Sequence, residues 1–148
     1  MLTPGDSFPA FDLLDDAGER HTQADLTGTW IVYFYPRDDT PGCTKQACSF
    51  RDAGPAYRER GARVLGVSPD GAESHQAFKA KYRLDFPLLV DAAHALCDAV
   101  GVWGEQTVRG HTFMGVARTT FIVRDGIVTE VFENVDVMGH AERVLAAL

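Results

Sequence analysis

The sequence predicts an α/β fold in which a central mixed β-sheet is flanked by helices and preceded by a small β-hairpin. Three observations predict it. Residues 31–35 (Ile-Val-Tyr-Phe-Tyr) and 64–67 (Val-Leu-Gly-Val) are apolar runs, each closed by a nearby proline, Pro36 and Pro69. Near-continuous runs of this kind are strands buried on both faces of a parallel sheet. A helical stretch over residues 42–61 separates them, which makes a βαβ unit. Residues 119–123 and 127–132 flank Arg124-Asp125-Gly126. Asp-Gly between alternating strands is a strong hairpin signal, and its strands must run antiparallel.

In chain order, residues 11–14 and those after Asp15-Asp16-Ala17-Gly18 form the first hairpin, ahead of the βαβ unit. Inside the long helix, Gly54-Pro55 removes the N–H that would bond Arg51 and adds a propensity penalty. A kink or break is therefore expected over residues 52–55, leaving a first piece of about three turns that is marginal by itself. The milder alternative is a kink after which the helix restarts at Pro55. A second helix covers residues 72–82 and leads to the short strand 87–90; a third covers 92–100 and ends near Gly101. Residues 102–115 are polar, contain glycine and carry no period that assigns them. After the Asp-Gly hairpin, an amphipathic helix over residues 139–148 closes the chain. Helices on both faces of a mixed sheet make a three-layer domain spanning residues 1–148.

Composition narrows the function classes. Fourteen basic against 21 acidic residues give a net charge of -7 over 148 residues. Such a balance excludes the basic stripe of a nucleic-acid footprint and attraction to anionic lipid. The longest apolar stretch, residues 30–35, is far short of the ~20 residues of a membrane span. The first seven residues have neither a basic nor an apolar leader region, so a cytoplasmic protein without a signal peptide is expected. Three cysteines are too few for a secreted disulfide scaffold, and in a reducing compartment such residues are more often catalytic or metal-binding.

The chemistry concentrates where the first long strand becomes the first helix, in residues 35–48 (Tyr-Pro-Arg-Asp-Asp-Thr-Pro-Gly-Cys-Thr-Lys-Gln-Ala-Cys). Sites in open α/β sheets form beyond the carboxyl ends of the strands. Thr40 is a good N-cap and Pro41 a good first helical residue, which places Cys43 in the first turn. There the unpaired backbone N–H groups and the positive end of the helix dipole favour thiolate over thiol. An ordinary cysteine is about 3% ionised at pH 7, whereas one with a pKa near ~6 is about 90% ionised. The competing reading is a buried structural cysteine. Cys48 lies five positions on, so in a regular helix the two Cα atoms are roughly 8.6 Å apart and face about 140° apart. That exceeds the ~7 Å a disulfide can span, and bonding would require the helix start to unwind. Spacing alone leaves open that these are two unrelated thiols.

Residues 33–52 (Tyr-Phe-Tyr-Pro-Arg-Asp-Asp-Thr-Pro-Gly-Cys-Thr-Lys-Gln-Ala-Cys-Ser-Phe-Arg-Asp) resemble the active-site signature of peroxiredoxins, and more narrowly of the bacterioferritin-comigratory or peroxiredoxin Q group. Further matching blocks are Gly5-Asp6 with Phe8-Pro9, residues 65–70, 86–89, 101–105 and 118–122. The resemblance implies a thioredoxin-like fold and a thiol peroxidase acting on hydrogen peroxide and organic hydroperoxides. It makes Cys43 the peroxidatic cysteine, gives Pro36, Thr40 and Gly42 to its pocket, and makes Arg118 the pocket arginine. Cys48 matches a resolving cysteine in the same helix, and Gln46 stands where the group often carries Glu. The implied cycle runs from a Cys43 sulfenic acid to an intramolecular disulfide with Cys48, which a thioredoxin-like dithiol reduces. No metal or organic cofactor is required, and a monomer is favoured.

Physical reasoning agrees with that carry-over. If the first long strand and residues 119–123 are antiparallel neighbours, as the resemblance implies, Arg118 stands beside the Cys43 loop. Its permanent charge would offset the fields of Asp38 and Asp39. Ionisation alone raises reactivity at most about 30-fold, because nucleophilicity falls with pKa. The remainder requires donors that orient the peroxide and stabilise its departing oxygen, for which Arg118, the Thr40 hydroxyl and the Cys43 N–H are suited.

Two other classes compete: a thioredoxin-fold module holding a soft ion such as copper(I) through Cys43 and Cys48, and a silent interaction protein. Cys97 reads as a buried structural thiol. His94 and Cys97 have metal-like spacing, but no second pair completes a tetrahedral zinc set. His21, His75, His111 and His140 are scattered and read as surface residues, Trp103 reads as packing, and Phe50, Tyr57 and Phe78 as core.

Overall fold

The computed structural model describes residues 1–148. Its elements are β1 (Asp12–Leu14), β2 (Arg20–Thr22), β3 (Thr29–Phe34), α1 (Pro41–Glu59), β4 (Ala62–Ser68), α2 (Ala72–Tyr82), β5 (Leu88–Val90), α3 (Ala95–Val100), β6 (Trp103–Val108), β7 (His111–Val116), β8 (Thr119–Arg124), β9 (Ile127–Phe132) and α4 (His140–Ala146). A five-stranded sheet has the order β5-β4-β3-β8-β9. β3, β4 and β5 are parallel, while β8 runs antiparallel to β3 and β9 to β8. The expected mixed sheet and N-terminal hairpin are both present, the latter as a separate two-stranded sheet.

The central strand explains its own composition. Trp30 to Tyr35 are all buried, because both faces of β3 are covered. With a side-chain period of two, Ile31, Tyr33 and Tyr35 point toward α1, α4 and Phe78 of α2. Val32 and Phe34 point to the other core with Phe8, Phe11 and the α3 residues Leu96, Cys97 and Val100. Phe50, Tyr57 and Phe78 are core, as read. No helix is long and apolar enough to cross a membrane.

Two departures from expectation have physical causes. α1 runs unbroken from Pro41 to Glu59 with Pro55 inside it. Its buried stripe of Cys43, Ala47, Phe50, Gly54 and Tyr57 holds both halves against the sheet. The Tyr57 hydroxyl also donates to the Ala141 carbonyl at 2.7 Å, and Arg51 donates to the Tyr82 carbonyl. Tertiary packing thus overrides the local penalty. Residues 102–115, left unassigned above, fall almost wholly within the hairpin β6–β7, which spans 103–116. Its two-residue turn puts both Arg109 (φ 50) and Gly110 (φ 80) in the left-handed region, as a type I′ hairpin turn requires. Most of its side chains are exposed, so it carries no apolar alternation.

Gly66 of β4 sits opposite Tyr33, and a Cβ there would come within 2.7 Å of a Leu88 methyl and 3.1 Å of the Tyr33 ring. Gly66→Ala is therefore expected to destabilise the protein by about 1–3 kcal/mol, as overpacking does. Urea denaturation checks this; an unchanged midpoint would contradict the packing described.

Candidate active site

β3 ends at Phe34, and the chain turns through residues 35–40 before α1 starts at Pro41. Thr40 is the N-cap, with extended backbone (φ -97, ψ 156), and its carbonyl accepts the Thr44 N–H at 2.8 Å. Its hydroxyl does not cap the helix. It donates instead to the Arg37 carbonyl at 2.9 Å. Cys43 is the third residue of α1 and is only 1% exposed.

The partner of this sulfur comes from across the sheet. β8 begins at Thr119, which pairs with Phe34 at the last residue of β3, so the preceding residue, Arg118, emerges beside the start of α1. Its Nη2 donates to Cys43 Sγ at 3.3 Å and its Nη1 to Gln46 Oε1 at 2.7 Å. Cys43 and Gln46 are three apart on one helix face, and the planar guanidinium fork spans them. Gly42 permits this approach, since a Cβ there would lie 3.1 Å from Arg118 Nη2. The antiparallel pairing that the resemblance implied is present, and it brings Arg118 to Cys43. Pro36 lies half-buried at the exit of β3.

Gln46, which stands where the resemblance leads one to expect Glu, is the second group the guanidinium reaches. It is 1% exposed, its Oε1 accepts from Arg118, and its Nε2 has no protein partner. A carboxylate at this position would take up the guanidinium charge; the amide leaves that charge to the sulfur.

Arg118 is not the only group that compensates Asp38 and Asp39, because residues of α2 bond both carboxylates. Asp38 accepts from the Tyr35 hydroxyl (2.6 Å), the Ser74 hydroxyl (2.8 Å) and the His75 ring. Asp39 is paired with Lys81 Nζ at 2.8 Å and the Tyr82 hydroxyl at 2.7 Å, which hold its carboxyl below the usual range.

His75 and His140 are corrections to the surface reading, being 0% and 2% exposed. His75 shares the buried side of α2 with Phe78, three residues on, and that spacing was the available signal. His140 Nε2 lies 2.8 Å from the Thr120 hydroxyl, and its ring meets Phe50 and Phe132 edge to face. Burial, with help from the Arg143 and Arg118 charges, lowers its pKa to about 4.

The remaining thiols behave differently. Cys97 is fully buried, its N–H bonded to Asp91 at 2.9 Å, and burial followed by the Asp91 carboxylate pushes its thiol well up. That fits the structural reading. Cys48 is half-buried, and all three cysteines are free. Cys43 and Cys48 share one intact helix, so their Cα atoms stay about 8.6 Å apart and the sulfurs do not converge on an ion. Asp15, Glu19 and His21 form another group of potential ligands, but the Asp15 carboxylate already accepts from the Ala17 and Glu19 N–H groups and pairs with His21. A cavity of about 350 Å³ lined by Trp30, Tyr57, Arg58, Arg63 and Phe86 opens at the amino-terminal ends of β3 and β4, away from Cys43.

Comparison with known proteins gives a consistent match. The AhpC/TSA family model matches residues 4–131. The chain is similar to peroxiredoxin Bcp of Bacillus subtilis, with 41% identity covering 97% of this chain and 93% of that one. It is similar in structure to a PrxQ variant of Xylella fastidiosa (TM-score 0.93, 33% identity, 99% of this chain and 95% of that one). It also resembles the bacterioferritin comigratory protein of Xanthomonas campestris (TM-score 0.87, 38% identity, 93% and 88%), whose trapped-intermediate and ligand-complex structures concern alkyl peroxide reduction by that protein.

The buried His140 makes a pH-dependent contribution to stability. Unfolded chains take up a proton on this histidine near its ordinary value of 6.5, whereas the folded chain resists until about 4. Acidification between those values therefore removes stability, by about 3 kcal/mol from this group. His140→Gln is expected to show a shallower acid loss in urea denaturation followed over the same range; identical slopes would contradict the assignment.

Proposed function

Because the chain belongs to the AhpC/TSA family, as a peroxiredoxin of the Bcp and PrxQ type and hence a thiol peroxidase, we propose that Cys43 is the sulfur its peroxide substrate oxidises. The observation that supports this assignment is the Arg118 fork, which donates to Cys43 Sγ and Gln46 Oε1 together. A hydrogen bond from a charged donor is strongest to an ionised acceptor, so the fork favours the reactive anionic sulfur.

In the first step the sulfur attacks the terminal oxygen of R–O–O–H. The S–O bond forms, the O–O bond breaks, and the departing oxygen leaves as R–OH with the proton that Cys43 gave up. Cys43 becomes a sulfenic acid. Negative charge grows on the departing oxygen, where Arg118 and the Cys43 N–H can donate. Contrary to the donor role expected of it, the Thr40 hydroxyl spends its proton on the Arg37 carbonyl and keeps its lone pairs, which suits it to accept from the peroxide O–H. Cys43 is only 1% exposed, so a substrate must reach it with its slender –OOH end, which hydrogen peroxide and organic hydroperoxides share.

In the second step the first turns of α1 unwind and Cys48 attacks the sulfenic sulfur. The S–S bond forms, the S–O bond breaks, and water departs. A thioredoxin-like dithiol then reduces the disulfide, becoming oxidised itself. With both cysteines in one chain the cycle requires no second subunit, so the reading includes a monomer. Three free thiols suit a reducing cytoplasm.

Peroxide treatment followed by peptide mapping is expected to reveal a Cys43–Cys48 linkage. Cys43→Ser should abolish turnover and sulfenic acid trapping. Cys48→Ser should allow the first oxidation and block the linkage. Full turnover by Cys43→Ser would overturn the assignment.

A further inference from the structure

One ion pair in the molecule has both side chains almost wholly removed from solvent. His75 is 0% exposed and Asp38 2%. The His75 Nε2 lies 2.8 Å from the Leu89 carbonyl oxygen, which can only accept, so Nε2 carries a hydrogen. The other ring nitrogen, Nδ1, faces Asp38 Oδ2, which also accepts from the Ser74 hydroxyl, while Asp38 Oδ1 accepts from the Tyr35 hydroxyl. With both Asp38 oxygens already accepting from hydroxyls, Oδ2 is placed as an acceptor toward Nδ1.

This ion pair fastens the loop that precedes Cys43. Asp38 is held by its side chain and also by its backbone N–H, which donates to Asp70 Oδ2 at 2.7 Å. The next residue, Asp39, adopts a left-handed conformation (φ 55) that a non-glycine residue keeps only when its surroundings impose it. Thr40 and the first turn of α1 follow directly.

We propose that His75 is a positioning residue for peroxide reduction: as a buried imidazolium paired with Asp38, it fixes the loop that sets Thr40 and Cys43 against Arg118. The proposal rests on Cys43 being the oxidised sulfur.

The titratable groups around the ring are Asp38 from the loop, Asp70 from the β4–α2 connection and Tyr35, the residue that follows β3. Burial opposes the charge on His75, but the Asp38 bond and charge, with Asp70 behind them, outweigh it and raise its pKa. Tyr35 stays neutral, because burial raises its own pKa well above the ordinary value. A raised histidine pKa gives a contribution that is complete below the ordinary 6.5 and is lost as pH rises through the folded value. The loop should therefore loosen on the alkaline side, slowing Cys43 oxidation there. Progressive ionisation of a thiol would have the opposite effect.

Two measurements test this. In a ¹⁵N-histidine NMR spectrum of the whole protein near neutrality, His75 should show both ring nitrogens protonated. The second is the rate of Cys43 oxidation by hydrogen peroxide against pH. The wild type should show a falling alkaline limb. The double variant Asp38→Asn/His75→Gln replaces the ion pair by a neutral one of similar size. It should oxidise about 10–100-fold more slowly near neutrality and lack that limb. A neutral His75 tautomer, or a double variant that keeps the wild-type rate and limb, would overturn the proposal. If the double variant does not fold, the NMR spectrum and the wild-type pH profile still decide. Sulfenic acid trapping in the wild type tests the premise separately: a label on another cysteine would remove the Cys43 reading and this proposal with it, whatever the His75 spectrum shows.

Discussion

A guanidinium laid against a sheltered sulfur is the constraint around which this structure is organised. A buried anion is costly unless a charge or hydrogen bonds compensate it, and Cys43 is almost fully buried. In the proposed reading, where Cys43 reacts as an anion, Arg118 provides that compensation from a distant part of the chain. Several features of the fold serve the contact. The antiparallel pairing of β3 with β8 ends with Phe34 beside Thr119, which delivers Arg118 to the helix start. Gly42 leaves room for the guanidinium, and the Gln46 amide steadies its second nitrogen without neutralising it. The acidic residues of the loop are satisfied by α2, so they do not compete for Arg118.

The proposed cycle also requires this arrangement to come apart. Cys43 and Cys48 sit on one continuous helix at a separation no disulfide spans, so resolution requires local unfolding. The first half of α1 is held by its buried stripe, by Arg118 and by the Arg51 bond to Tyr82. Pro55 supplies no N–H to the Arg51 carbonyl, which weakens the ladder between the two halves. The opposing demands, a rigid pocket for the first step and a labile turn for the second, meet in the same residues.

Much of the fold was legible in the chain because local signals and tertiary burial agree there. The apolar runs marked β3 and β4, Asp125-Gly126 marked the β8–β9 turn, and α2 has the bounds expected of it. Legibility failed where tertiary context decides. The β6–β7 turn uses Arg109 where glycine or asparagine is usual, and its strands lack a buried face. α1 stays whole because of what packs against it, and local propensity does not report that. His75 and His140 are polar residues whose burial depends on partners far away, Asp38 in one case and Thr120 in the other. At the candidate site, Cys43 was visible from its place at a strand-to-helix turn. Arg118 was visible only through the family signature, since nothing local links it to the cysteine.

The most direct test of the central contact is an Arg118→Met variant, which keeps much of the side-chain volume and removes the charge and donors. Its second-order rate of Cys43 oxidation by hydrogen peroxide can be compared with the rate of Cys43 alkylation by iodoacetamide. The peroxide rate should fall about 10²–10³-fold, as loss of a transition-state donor does, with a smaller fall in alkylation. A peroxide rate unchanged from the wild type would contradict the role given to Arg118.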